Sequence, residues 1–352
     1  MSTARRAFVT SVVVVGVVAG ALALWHLRLL IFLLLLGFTL AAAMRPGVER
    51  LHEHGVPRAA GVLLHFAGLA VVIGLFLWLV IPRAITQVES AIGDAPTSSA
   101  ELRDAARNST GIKHEFLVGL QKELQKLPSG SALVHPALTI TTKALEVLIG
   151  IFFALATAAY WIFERERAEG LVLSLLPRKH RRVVRETWNL IDVKLGAYVR
   201  GQLLMISFVS TVLSTAFALI GLPFWLLLGV FAGIVEIVPV IGPLVAGSLA
   251  VAVGLTIDWQ HALFAAIAVW GLRLLQDYVI GPHVFGRAVG LSPLIVLVTV
   301  SAVGLLFGGV YVLLSVPLAA VLATLADVLI LNRDPAKQEV PRILFPAKDA
   351  ET

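Results

Sequence analysis

Apolar runs close to twenty residues long recur along this chain, and they restrict its fold more than any other feature of the sequence. A hydrocarbon core about 30 Å thick takes roughly 20 helical residues to cross. Backbone groups in lipid must also find partners within their own segment, so such runs read as helices. The runs at 7–24, 29–43, 59–81, 145–163 and 203–220 meet this description. The excess of apolar surface is global: 58% of the 352 residues are hydrophobic and 14% are charged, against about 25% charged in a soluble domain, and the mean hydropathy is +0.91.

The basic residues lie in short segments between these runs, which anchors loops to the cytoplasmic face and points away from nucleic acid as a partner. Arg45, Arg50 and Arg58 separate the second and third runs. Arg165, Arg167, Arg178, Lys179, Arg181, Arg182, Arg185, Lys194 and Arg200 follow the fourth. With both loops inside, the N-terminus and its Arg5–Arg6 pair also fall inside, and the segment 82–144 falls outside. Arg5 and Arg6 before an apolar run could suggest a cleaved signal, but a second apolar run begins at Leu29, so an uncleaved hairpin is expected. The outer segment carries an amphipathic pattern over 99–127, with Leu102, Ala106, Phe116, Leu120 and Leu124 on its apolar side. The stretch 177–194 reads as a basic surface helix lying on anionic headgroups.

Beyond Pro223 the pattern changes. The apolar stretches 224–257 and 294–331 would each run roughly 50 Å or more as straight helices, too long for one ordinary crossing. The first is interrupted at Val238-Pro239-Val240-Ile241-Gly242-Pro243, where two prolines remove N–H donors and Gly242 widens the accessible backbone angles. The second is interrupted between Gly308, Gly309 and Pro317. Each is expected to fold back as a re-entrant hairpin, the two in opposite orientation. Paired interruptions of this kind mark transport sites, because half-helix ends and freed backbone groups can face ions and solute. Small-xxx-small spacing at Gly229/Gly233 and Gly304/Gly308 would serve close helix packing equally well, but packing does not call for the breaks.

Ionisable groups within apolar segments are costly and so become functional candidates. Glu236 is the clearest, three residues before Pro239. Arg273, Gln276 and Asp277 form a second cluster, in which Arg273 and Asp277 are spaced for an intrahelical ion pair. Asp258, Asp327 and Glu146 lie near segment ends, and His65 reads as a packing residue. The absence of cysteine excludes thiol chemistry, and nine scattered histidines without a His-Glu-x-x-His pattern point away from a metal cage. The sequence contains no Walker A loop, dinucleotide fingerprint or Ser-His-Asp arrangement, so no enzyme activity or cofactor is expected and uphill transport would draw on an ion gradient.

Several motifs resemble the AI-2E family, the autoinducer-2 exporter-like or PerM-like membrane proteins. They are Tyr198, Arg200, Gly201 and Gln202; Glu236 through Pro243; Gln276, Asp277, Tyr278, Val279, Ile280 and Pro282; Leu291, Ser292 and Pro293; and Leu306, Phe307 and Gly308 with Val316, Pro317, Leu318, Ala319 and Ala320. Ala302 and Val303 depart from the glycine that many members carry before Gly304. The resemblance implies a homo-oligomeric transporter of the bacterial cytoplasmic (inner) membrane that exports a small polar quorum-sensing signal; some members resemble sodium or lithium/proton antiporters.

The expected fold is all-α and polytopic, with about eight helical segments, two of them broken or re-entrant, and an extracytoplasmic helical loop. The expected organisation is N-terminal membrane helices over 1–81, the outer segment 82–144, a transport core over 145–331 and a polar tail over 332–352. The expected partners are membrane lipids, a small polar solute and a coupling cation or proton. The candidate site comprises Glu236, Pro239, Gly242, Pro243, Arg273, Gln276 and Asp277, with Gly308, Gly309 and Pro317 as the second break. A function of a different class, a membrane scaffold that binds an envelope partner through residues 82–144, would require neither the buried acid nor the paired breaks.

Overall fold

The computed structural model describes residues 3–92, 134–239, 241–280 and 292–338, and among these there are helices and turns but no strand. The order is α1 (Thr3–His26), α2 (Arg28–Glu53), α3 (Arg58–Ile92), α4 (Val134–Ser174), α5 (Arg178–Ile220), α6 (Trp225–Val235), α7 (Ile241–Leu255) and α8 (Trp259–Leu275), which ends in a π turn at Gln276–Ile280. After it come α9 (Pro293–Phe307), a 3-10 helix at Gly309–Leu314, α10 (Ser315–Leu329) and a final 3-10 turn at Pro335–Lys337. Among the described residues, six segments are long and apolar enough to cross a membrane: Arg28–Glu53, Arg58–Gln87, Leu145–Ser174, Arg178–Ile220, Trp259–Ile280 and Gly309–Leu329. The chain is therefore a polytopic all-α membrane protein.

Two expectations from the sequence need adjusting at helix boundaries. α3 continues through Pro82 to Ile92 and α4 begins at Val134, so both helices extend past their apolar runs. The amphipathic stretch 99–127 lies outside the described residues. The basic stretch 177–194 is not a separate surface helix. It is the first half of α5, which runs unbroken for 43 residues until Gly221, at φ 83, ends it in a left-handed cap. Arg178, Lys179, Arg182 and Arg185 remain exposed on this half. Its other side packs inward: Trp188 stacks on Trp161 with ring centroids 5.7 Å apart. Lys194 is buried, and its Nζ donates to Thr324 Oγ1 and Gln338 Oε1, both at 3.0 Å.

An ionic network ties this half of α5 to α2 and α4. Arg165 Nε donates to Asp192 Oδ2 at 2.5 Å, Arg165 Nη2 donates to Asn189 Oδ1, and Arg165 Nη1 pairs with Glu169 at 3.3 Å. Arg45 approaches the same Asp192 at 3.8 Å and pairs with Glu49 at 2.6 Å. Arg165 is 6% exposed, so removing it would leave the half-buried Asp192 without its main partner, while Glu169 keeps Arg185 at 2.8 Å. Arg165→Ala should destabilise the protein by about 3–5 kcal/mol, measured as a lower thermal midpoint of the purified protein. Arg167→Ala should be almost neutral by comparison, because the Arg167–Glu164 pair is exposed.

The apolar core lies in the second half of the chain. Val209, Leu213 and Phe217 of α5 pack with Leu228 and Ala232 of α6, Ala246 and Ala250 of α7, and Ala265 and Leu272 of α8. Alanines on α7 and α8 let the helices approach closely, as expected where lipid gives no hydrophobic incentive for association. Asp258 joins α7 to α8. Its carboxylate accepts the His261 backbone N–H at 2.8 Å, which caps α8 and holds the acid below its ordinary value.

Candidate functional site at the break between α6 and α7

The break follows from the sequence of backbone donors. Glu236, Ile237 and Val238 donate to the carbonyls of Ala232, Ile234 and Val235, which tightens and ends α6. Pro239 and Pro243 cannot donate. Helical bonding resumes when Ile241 donates to Pro239 and Gly242 donates to Val238. Pro243 falls in the first turn of α7, where its missing N–H would have had no intrahelical partner.

Gly242 shows that the chain reverses here. A Cβ at this position would overlap the Val235 carbonyl. In an unbroken helix, residues seven apart are separated by about 10 Å along the axis. The contact therefore requires α7 to fold back on α6, with a glycine at the point of closest approach. With 11 and 15 residues, α6 and α7 are about 16 and 22 Å long, each shorter than a full crossing.

α6 runs antiparallel to α5 at backbone contact distance, Gly229 against Ser214 and Gly233 against Ser210 and the Ile206 carbonyl. This packing carries Glu236 to the start of the apolar half of α5, where Gln202 Nε2 donates to the Glu236 backbone carbonyl at 3.1 Å. α8 returns to the same point. Arg273 Nη1 donates to Glu236 Oε1 at 3.4 Å, and Gln276 Nε2 donates to the same oxygen at 3.2 Å. Arg273 Nε also donates to Asp277 Oδ2 at 3.0 Å. One guanidinium thus bridges two carboxylates in unlike surroundings: the Glu236 side chain is 11% exposed and that of Asp277 is 50% exposed.

A cavity of about 10 Å³ adjoins Glu236 and is lined by Pro243, Arg273 and Gln276 with apolar residues of α5 to α8. That volume is about one water molecule's worth of probe space. Of the residues named from the sequence, Glu236, Arg273 and Gln276 meet directly, Pro243 lines the same cavity, Asp277 joins through Arg273, and Pro239 and Gly242 shape the turn. The intrahelical Arg273–Asp277 pair that the spacing permits is present, and the same guanidinium also reaches Glu236, a contact the sequence does not indicate. Gln202 was not among the candidates. A polar amide at the mouth of an apolar run, one turn beyond Tyr198, was the available signal.

The second break is built differently. Gly308, at φ 103 and ψ 169, ends α9 in a backbone region that is essentially restricted to glycine. Gly309 opens the 3-10 helix, and Pro317 sits harmlessly in the first turn of α10. The 3-10 helix and α10 together form a 21-residue apolar segment, long enough to cross. The second stretch therefore pairs the 15-residue α9 with a full-length segment, where the sequence suggested a mirrored hairpin.

Both breaks lie at a similar height along α5. α2 is antiparallel to α5, since Arg200 reaches the Ala43 carbonyl while Arg45 approaches Asp192. Phe32, about 15 Å from Ala42, then lies near the height of Ser207. Tyr311, in the second break, meets Phe32 with ring centroids 5.0 Å apart.

Comparison with known proteins agrees with this architecture. The family model described as AI-2E family transporter matches residues 13–330. The candidate transport protein YrrI of Bacillus subtilis is 24% identical over 294 residues, covering 82% of this chain and 83% of its own. A candidate transport protein of Mycobacterium tuberculosis, MT0215, is 28% identical over 342 residues, covering 93% and 90%. The candidate permease PerM of Escherichia coli K12 is 26% identical over 305 residues, covering 82% and 84%. The match takes in both broken stretches and nearly all of the membrane helices, and on that basis this chain belongs to the AI-2E family of membrane transporters.

Proposed function

We propose that the protein is a gradient-driven exporter of a small polar solute of the autoinducer-2 type, in the bacterial cytoplasmic membrane with its N-terminus inside, and that Glu236 carries the coupling ion. The observation supporting this is the shared guanidinium. An ionised carboxylate among apolar helices is tolerated when it is paired, and Arg273 supplies the pair while retaining Asp277 as a second partner. When a proton or a small cation neutralises Glu236, Arg273 can shift entirely to Asp277, the more exposed acid. The hairpin tip then loses its charged link to α8 and keeps only the Gln276 amide, which gives two states of the break distinguished by the occupancy of one carboxylate. A coupling ion can bias such an equilibrium by the difference in its affinity for the two states.

A second reading, sodium or lithium/proton antiport, is favoured by the size of the cavity. About 10 Å³ beside Glu236 accommodates a water-sized particle, not an organic solute. Flux from liposomes separates the two readings. Solute-dependent proton movement supports the exporter, whereas proton release driven by sodium or lithium alone supports the antiporter.

Asp277→Asn should reduce flux less than the corresponding change at Glu236, because Arg273 keeps Glu236 as its partner. Equal losses at the two positions, at matched amounts of monodisperse protein, would contradict the assigned order. Orientation is checked independently by single cysteines at Ser98 and Lys179. An impermeant thiol reagent applied to intact cells should label the first and spare the second, and the reverse pattern would invert the topology.

A further inference from the structure

A groove of about 350 Å³ runs between α2 and α4 and shares no lining residue with the cavity at Glu236. Leu34 and Phe38 of α2 line it, with Phe153, Tyr160, Trp161 and Glu164 of α4. The two helices are in close contact at Gly37, which lies against Thr157 and the Ala154 carbonyl. Beside that contact the rings of Phe38 and Trp161 pack with centroids 4.3 Å apart. Both helices belong to membrane-spanning segments, and Tyr160 is 72% exposed, so the groove opens to the outside of the bundle. Its volume falls in the range of about 300–1,000 Å³ that holds an organic ligand.

The length and chemistry of the groove match one leaflet of a bilayer. From Phe153 to Glu164 α4 rises about 16 Å, and half of a hydrocarbon core about 30 Å thick is about 15 Å. Along that rise the lining passes from apolar side chains to Tyr160 and Trp161, aromatic residues of the kind found at the membrane interface, and then to charge. Glu164 closes the groove, and Arg167, one turn further on the same face of α4, pairs with it at 2.9 Å. Both are exposed, and an exposed pair of this kind contributes little. A ligand that brings both a cation and an anion can therefore open it at small cost. Arg45, which follows Phe38 on the same face of α2, is already held by Glu49 and Asp192.

We propose that this groove seats one phospholipid with a primary ammonium headgroup, phosphatidylethanolamine, from the leaflet at the Arg167 end, which is cytoplasmic in the proposed orientation. An acyl chain lies against Phe38 and Phe153, and the glycerol region is level with Tyr160 and Trp161. Arg167 takes the phosphate and Glu164 the ammonium. Charge complementarity selects the headgroup. A primary ammonium presents three N–H donors to the carboxylate. Phosphatidylcholine has a cation without such donors, and phosphatidylglycerol has no cation and sets its negative charge beside Glu164. The site is independent of the coupling role of Glu236.

The test uses the full chain purified in neutral detergent and titrated with the palmitoyl-oleoyl forms of phosphatidylethanolamine, phosphatidylcholine and phosphatidylglycerol, with bound lipid counted by native mass spectrometry. One phosphatidylethanolamine should be retained about three- to fivefold more tightly than either of the others, the scale of one exposed charge contact. Glu164→Gln should remove the preference over phosphatidylcholine, and Arg167→Gln should weaken all three lipids. Ala156→Phe, which narrows the groove without touching either charge, should also weaken all three and leave the oligomeric state unchanged. Glu236→Gln should keep the wild-type lipid pattern even where it removes flux, so the lipid site and the coupling reading fail separately. Equal retention of the three lipids by wild type, a preference that survives Glu164→Gln, or an Arg167-dependent preference for phosphatidylglycerol would each overturn the assignment, the last in favour of an anionic lipid. A changed oligomeric state in Ala156→Phe with lipid retention as in wild type would overturn it in favour of a second copy seated on the groove. If Ala156→Phe does not yield monodisperse protein, the variants at the exposed Glu164 and Arg167 decide.

Discussion

Glu236→Gln is expected to abolish gradient-driven accumulation of solute in liposomes while leaving the purified protein monodisperse and its thermal midpoint nearly unchanged. Glutamine keeps the size of the side chain and still offers an oxygen to Arg273 and Gln276, which both reach Glu236 Oε1. A packing role would therefore survive the exchange. What is lost is the ability to cycle between charged and neutral forms, and with it the difference between the two states of the hairpin tip. A coupling free energy of about 1–3 kcal/mol corresponds to a loss of roughly 5- to 150-fold, well above the scatter of a flux assay. Full activity in the variant would remove Glu236 from the mechanism and leave the broken backbone as the candidate site.

A large effect on stability is also expected at Gly242. An alanine there would place its Cβ on the Val235 carbonyl, with the Glu236 backbone nitrogen also close. Neither is a flexible side-chain end that can swing aside, so the hairpin must open at its tip. Gly242→Ala should destabilise by about 3 kcal/mol, at the upper end for overpacking in a tight site, and should separate Glu236 from Gln202 and Arg273. Gly271→Ala provides the contrast. Nothing lies within 4 Å of a Cβ at that position in α8, and alanine favours a helix interior by about 1 kcal/mol over glycine. Thermal midpoints of the two purified variants should move in opposite directions; equal shifts would show that the Gly242 contact does not hold the hairpin together.

The broken architecture was legible in the sequence because its determinants are local. Two prolines and a glycine within Glu236–Pro243 interrupt any helix, and the apolar run lengths set the number of segments. Glu236 and Arg273 were legible as separate oddities for a similar reason, being charges in apolar surroundings. Their meeting was not legible. It depends on the antiparallel packing of α6 on α5 and the return of α8, which no spacing within one segment encodes. The basic stretch of α5 was misread because its charges dominate the pattern. Trp188 and Lys194, the residues that turn it inward, find their partners in Trp161, Thr324 and Gln338, far away in sequence. Pro317 was read as part of a break because proline in an apolar run usually signals one, whereas in the first turn of α10 it costs no hydrogen bond.

Proton movement coupled to the solute tests the central claim most directly. Liposomes holding wild-type protein and an entrapped pH indicator receive a solute gradient, and the proton flux that accompanies solute flux is recorded with and without sodium or lithium. The account predicts a solute- or cation-dependent proton signal in wild type, a reduced signal in Asp277→Asn and none in Glu236→Gln. An undiminished proton signal in Glu236→Gln would contradict the account.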